Sequence, residues 1–128
     1  FIAVDAGRMF RAADAGMLQA VDSDVLSTKI PAHIRHPENL WFGVSQRARV
    51  IFYSKDRVEN PPQTYEELTD EKWKDIICIR TSSNIYNLSL LASIIHADGE
   101  EAAKEWAAGV NANLARAPQG GDTDQLRG

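Results

Sequence analysis

The chain has 128 residues, 44% of them apolar and 25% charged, a composition that suits one ordinary globular domain with a real core. Fourteen Lys and Arg against eighteen Asp and Glu give a formal charge of −4, which argues against a general nucleic-acid binder but leaves room for a local positive pocket around a small anion. No run reaches the roughly 18 consecutive apolar residues of a membrane span; Leu88 to Ile95, for example, is broken by Ser89 and Ser93.

Phe1 to Val4 is expected as a strand already under way, followed by Asp5-Ala6-Gly7. Arg8 to Leu18 has helical spacing, with Met9, Ala12 or Ala13, Met17 and Leu18 on one side. Pro31 and Pro37 bracket a polar loop. Arg49 to Tyr53, rich in β-branched and aromatic residues, is a second strand. Pro61-Pro62 breaks the pattern. Thr64, with Glu67 three residues on, has the form of a capping box opening a helix. Asp75 to Arg80 is a third strand. It contains Cys78, the single cysteine, which reads as a small buried hydrophobe, since nothing local supplies a base to make it a nucleophile.

Ser83 or Asn84 then caps a helix to about His96, with Leu88, Leu91, Ala92 and Ile95 as its apolar face. A further helix over about Glu100 to Leu114 turns Ala103, Trp106, Ala107, Val110 and Leu114 inward. Pro118 to Gly121 interrupts the pattern before Asp122 to Leu126, the opening turn of a last helix. No signal peptide precedes Phe1, and both ends are expected to be cut from a longer protein. Strands alternating with helices predict an α/β fold with a largely parallel sheet.

The segment from Ile79 to Asn87 concentrates the chemistry. A strand ends, Ser82, Ser83 and Asn84 follow, and a helix starts; in an α/β sheet such turns lie at the carboxyl edge where ligands bind. Unpaired amides of a first helical turn favour an anion, and these three side chains either add hydrogen bonds to one or simply cap the helix. Tyr86 lies in that first turn. Its ordinary role is a core tyrosine. As a ligand, its phenolate is a hard oxygen donor suited to a highly charged cation such as ferric iron, which displaces the phenolic proton despite a free pKa of about 10.

Other combinations point nowhere in particular. His33 and His36 with Glu38 have a spacing that can bind zinc, but they fall in a Pro-bounded loop without a fourth ligand. His96 suits a helix C-terminus. Trp41, Trp73 and Trp106 are too scattered for a stacking platform, and Gly120-Gly121 is not followed by the Lys and hydroxyl residue of a phosphate loop. No general acid–base pair or oriented nucleophile assembles, so an enzyme is not expected.

Five segments occur in an informative order: Asp5-Ala6-Gly7-Arg8; Trp41 through Val50; Thr64-Tyr65-Glu66-Glu67-Leu68 with Trp73-Lys74; Cys78 through Asn87; and Gly120-Gly121-Asp122-Thr123-Asp124-Gln125. Together they resemble the ferric-iron-binding proteins, the periplasmic solute-binding components of iron ABC transporters, in particular the subgroup that holds iron mainly through tyrosines. The resemblance extends over essentially the whole chain and implies an internal fragment of a two-lobed periplasmic-binding-protein fold of type II, a mostly parallel sheet flanked by helices, closing on Fe(III) in a cleft.

The resemblance further implies that Tyr86 is the first ligating tyrosine, with two more downstream of Gly128. Arg47 matches a cleft arginine on the synergistic anion, carbonate or phosphate by subgroup. Ser82, Ser83 and Asn84 match the anion-facing turn, and Asp122 and Thr123 match further polar cleft positions. Some relatives take a carboxylate ligand from the strand corresponding to Phe1–Asp5. Asp5 is near that place, Val4 fits it about as well, and Asp5 is expected in support of the site or bonding the turn before the first helix. Residues 1–48 would then belong to the first lobe, 49–54 to a crossover strand where hinge motion concentrates, and 55–128 to the second lobe. The implied partners are ferric ion and the membrane permease of the transporter, and the implied location is the periplasm or a lipid anchor at the cell surface. The alternative is a solute-binding protein of the same fold for a small anion or other non-iron ligand.

Overall fold

A computed structural model describes residues 1–127, which divide into two compact units, Phe1–Ala48 and a second that begins at Arg49. The chain holds five α-helices among the described residues: α1 (Ala6–Asp14), α2 (Asp24–Lys29), α3 (Ile85–Asp98), α4 (Glu100–Ala112) and α5 (Asp122–Leu126). Short 3₁₀ turns lie at Ala32–Ile34, Glu66–Thr69 and Glu71–Trp73.

In the first unit, α1 starts two residues earlier and stops four residues sooner than its apolar spacing suggests. Asp5, at φ 79°, caps it by accepting a hydrogen bond from the Gly7 amide at 3.1 Å, so the helix begins at Ala6. Gly16, at φ 65°, ends it: its amide donates to the Ala13 carbonyl at 2.9 Å and the Met17 amide donates to Ala12 at 3.0 Å, the paired bonds of a Schellman stop. Met17 is therefore outside the helix and 77% exposed. Past α2, the chain folds back through an antiparallel bridge between Arg35 and Phe42. The His36 imidazole there accepts from the Glu38 amide at 3.1 Å, and its ring sits 5.9 Å from Trp41, which in turn meets Phe10 edge-on at 5.3 Å. His36 is thus an aromatic packing residue. His33, His36 and Glu38 do not gather into a group of three metal donors among the described residues.

The second unit is built around α4. Ala103 and Val110 are buried, as is Trp73 of the 3₁₀ turn Glu71–Trp73. Gly99, at φ 90°, both ends α3 and precedes α4, turning the second helix back against the first. The 3₁₀ turn Glu66–Thr69 packs on α4 as well. There Gly109 allows a close approach, because a β-carbon on it would lie 2.8 Å from Thr69 Cβ and Cγ2. Asn113, 4% exposed, donates through its side-chain amide to the Leu68 and Asp70 carbonyls, both at 2.9 Å. With those carbonyls engaged, the helix expected from Thr64 breaks into two 3₁₀ turns. Its cap survives only in part. The Glu67 amide donates to Thr64 Oγ1 at 3.4 Å, but the Glu67 carboxylate accepts from Gln63, one residue before the expected partner.

Further sequence expectations need correction. The segments Phe1–Val4, Arg49–Tyr53 and Asp75–Arg80 do not form a continuous sheet. Strand pairing among the described residues is limited to isolated bridges, the parallel one joining Ile77 to Leu114 through Ile77 N–H to Asn113 O at 3.2 Å and Ala115 N–H to Ile77 O at 2.8 Å. A strand exists only where a neighbour completes its ladder, and Phe1, Ile2 and Phe52 are instead 93%, 95% and 74% exposed. The intended inner face of α3 is also open: Leu88 and Ile95 are exposed, and no α3 residue is fully buried. Cys78, likewise, is half-buried rather than enclosed.

Candidate functional site

Tyr86 occupies the second position of α3, and the turn before it is held from several directions. Asn84 is the N-cap: its side-chain oxygen accepts from the Tyr86 amide at 2.9 Å, while its own amide donates to the Thr81 carbonyl at 3.1 Å. Asn87, one turn into the helix, sends its side-chain amide back to the Arg80 and Thr81 carbonyls at 3.1 and 3.2 Å. The Thr81 amide reaches the Gly120 carbonyl at 3.3 Å, linking the turn to the loop that leads into α5. Cap, back-bond and loop together fix the backbone on which the tyrosine stands.

Two arginines that sequence reasoning gave no role surround the Tyr86 ring. Arg49 Cζ lies 4.0 Å from the ring centroid and Arg80 Cζ 4.9 Å from it, both within cation–π range. Arg80 is held in turn by Asp122, the first residue of α5, at 2.6 Å. The half-buried phenol is therefore bordered by positive charge. Position alone offered one signal: Arg80 ends the strand-like segment next to the capping turn. The nearness of Arg49 depends on tertiary folding.

The other expected site residues are distributed as follows. Ser82 and Ser83 stand exposed on the turn, whereas the Asn84 side-chain oxygen is engaged in capping. Asp122 and Thr123 begin α5 on the solvent side, with Asp122 drawn to Arg80. Arg47 is an exposed residue of the first unit, and Asp5 caps α1 in that same unit.

Arg49 also lines a shallow depression of about 410 Å³ with Tyr53, Pro61, Pro62, Thr64 and Tyr65. Burial raises the pKa of the Tyr65 phenol above its ordinary value of 10.0, and the Arg49 charge partly opposes that rise. Tyr65 is thus neutral at physiological pH. Its carbonyl accepts from the Trp106 indole at 2.7 Å, which makes it a packing residue of α4.

Comparison with known proteins places this geometry in context. The family model described as bacterial extracellular solute-binding protein matches residues 1–127. Iron uptake protein A1 of Synechocystis sp. (strain ATCC 27184 / PCC 6803 / Kazusa) is 49% identical over 126 residues, covering 98% of this chain. The chain spans only 35% of that relative's length. Among solved structures, apo FutA2 from Synechocystis PCC6803 superposes with a TM-score of 0.89 at 51% identity, covering 97% of this chain and 40% of the other. The Trichodesmium protein IdiA (FutA), solved in complex with iron and citrate, gives a TM-score of 0.88 at 54% identity, covering 95% of this chain and 39% of the other.

Proposed function

The chain belongs to the bacterial extracellular solute-binding protein family, and from that premise we propose that it forms part of a protein that binds ferric iron with a synergistic anion and delivers it to the membrane permease of an ABC transporter. The fold is that of part of a two-lobed periplasmic binding protein, which its solved relatives support at TM-scores near 0.89. Residues 1–48 belong to the first lobe, 49–54 to the crossover and 55–128 to the second lobe in this reading. The parent protein acts in the periplasm, free or lipid-anchored, as a binding protein rather than an enzyme.

The single observation that carries the reading is the placement of Tyr86. A phenol in the first turn of a capped helix, bordered by two guanidinium groups, offers a hard oxygen donor suited to a trivalent cation. It supplies one ligand of the iron, and the remaining donors come from elsewhere in the intact protein. Ser82 and Ser83, with the α3 amides, take the anion; Arg47 adds a planar fork suited to bidentate contact with carbonate, phosphate or a carboxylate. Asn84 contributes chiefly by capping the helix. Asp122 and Thr123 support the site from α5, and Asp5 does so from the first lobe. A relative solved with iron and citrate favours an oxyanion-assisted mode.

The exposed hydroxyl turn and the arginines would also suit an anion alone, which is the competing reading. Calorimetry of the intact protein separates the two. Fe(III) is expected to bind tightly only with citrate, carbonate or phosphate present, and the anions alone only weakly. Tight binding of any of these anions without metal, with no further heat from iron, would replace the ferric reading by an anion-transport one.

A further inference from the structure

The arginines beside Tyr86 come from two separate segments, and the fold restrains both. Arg80 has a side chain only 17% exposed, an ion pair with Asp122 at 2.6 Å, and a backbone carbonyl tied to Asn87 of α3. Arg49, half-buried, opens the second unit, and its charge acts on the neighbouring Tyr65 phenol as well. A guanidinium over an aromatic face is attracted by the ring's quadrupole, more strongly where water is excluded, and its planar shape resists rotation of the ring beneath it. A phenolate carries part of its charge in the ring, so a cation placed there also lowers the energy of the electrons it offers to a metal.

We propose that Arg49 and Arg80 are positioning residues for Tyr86: they hold the phenol ring in one orientation and moderate the donor strength of its oxygen toward a trivalent metal ion, with Asp122 anchoring Arg80. The second half rests on Tyr86 being an iron ligand; the first does not. Neither arginine needs to touch the metal, and their charges act on the donor ring itself. Arg49 is the residue probed, because substituting Arg80 would also remove the ion pair that joins the turn to α5.

Two readouts on the intact protein test this. Without iron, NMR of ring-labelled tyrosine gives the flip rate of the Tyr86 ring, assigned by its loss in Tyr86→Phe. Arg49→Gln is expected to raise that rate about 5- to 30-fold, the change that loss of a partly desolvated guanidinium–ring contact supports. With Fe(III) and citrate added, the phenolate-to-iron absorption band of Arg49→Gln is expected at longer wavelength than in the wild type. Arg49→Lys, which keeps the charge without the plane, is expected to restore the band position. An unchanged flip rate in Arg49→Gln overturns the positioning role, and a band that stays in place overturns the tuning role. A wild-type protein that shows no band, while Arg49→Gln still flips faster, confirms the clamp and overturns the ligand reading instead.

Discussion

The Arg80 guanidinium stands 2.6 Å from the Asp122 carboxylate, joining the residue before the candidate turn to the first residue of α5. The carboxylate is 67% exposed, so the pair contributes little to stability, about 0–1 kcal/mol. Its effect falls on geometry. Asp122→Asn is expected to leave the thermal midpoint almost unchanged while weakening iron binding by a few-fold, roughly the worth of one exposed pair. Thermal unfolding and competition with citrate for Fe(III) measure the two effects, and an equal loss in both would make Asp122 a purely structural residue.

Asn84 caps α3 through the amide of Tyr86. Asn84→Ala removes that bond and is expected to cost about 1 kcal/mol of stability, whereas Asn84→Asp or Asn84→Ser retains most of it. Denaturant unfolding checks the order. A similar cost for all three substitutions would show that the side chain acts other than as a cap.

Asn113 joins α4 to the 3₁₀ turns through two carbonyls. Asn113→Ala removes both bonds, taking this donor from the Leu68 carbonyl while the Asp70 carbonyl keeps the Trp73 amide at 3.0 Å, and is expected to destabilise the protein by about 1–3 kcal/mol. Asn113→Asp is expected to be at least as harmful, because an ionised carboxylate would face two carbonyl oxygens. Urea titration of the two variants measures this.

Gly109 lies in the interior of α4, where alanine is ordinarily the better helix former by about 1 kcal/mol. Contact with Thr69 reverses that preference, since the added methyl group would sit 2.8 Å from two Thr69 carbons. Gly109→Ala is expected to destabilise by about 1–3 kcal/mol. A gain in thermal midpoint would show that the 3₁₀ turn gives way freely.

Local features of the sequence survived folding best. The period of α4 put Ala103 and Val110 inside, and Asn84 was recognisable as a cap because its side chain acts within two residues of itself. The same reasoning misplaced the α1 boundaries, since apolar spacing carries no information on the Asp5 cap or the Gly16 stop. Helical periodicity marked Leu88 and Ile95 as inward, but an apolar stripe buries only where another surface covers it, and both are exposed among the described residues. In the candidate site, the capping turn and the position of Tyr86 in the first turn of α3 were legible, although the segment before them is not a strand. Arg49 was not, because its 4.0 Å approach to Tyr86 spans 37 positions (49 to 86) and arises from tertiary folding alone.

The central claim is that the Tyr86 phenol is a ligand to ferric iron. Adding Fe(III) and citrate to the intact protein is expected to produce a visible charge-transfer band, and Tyr86→Phe, which keeps the ring and its arginine contacts, is expected to lose or strongly diminish that band and to weaken iron binding. A Tyr86→Phe protein that binds iron with undiminished affinity and an identical spectrum would contradict the account.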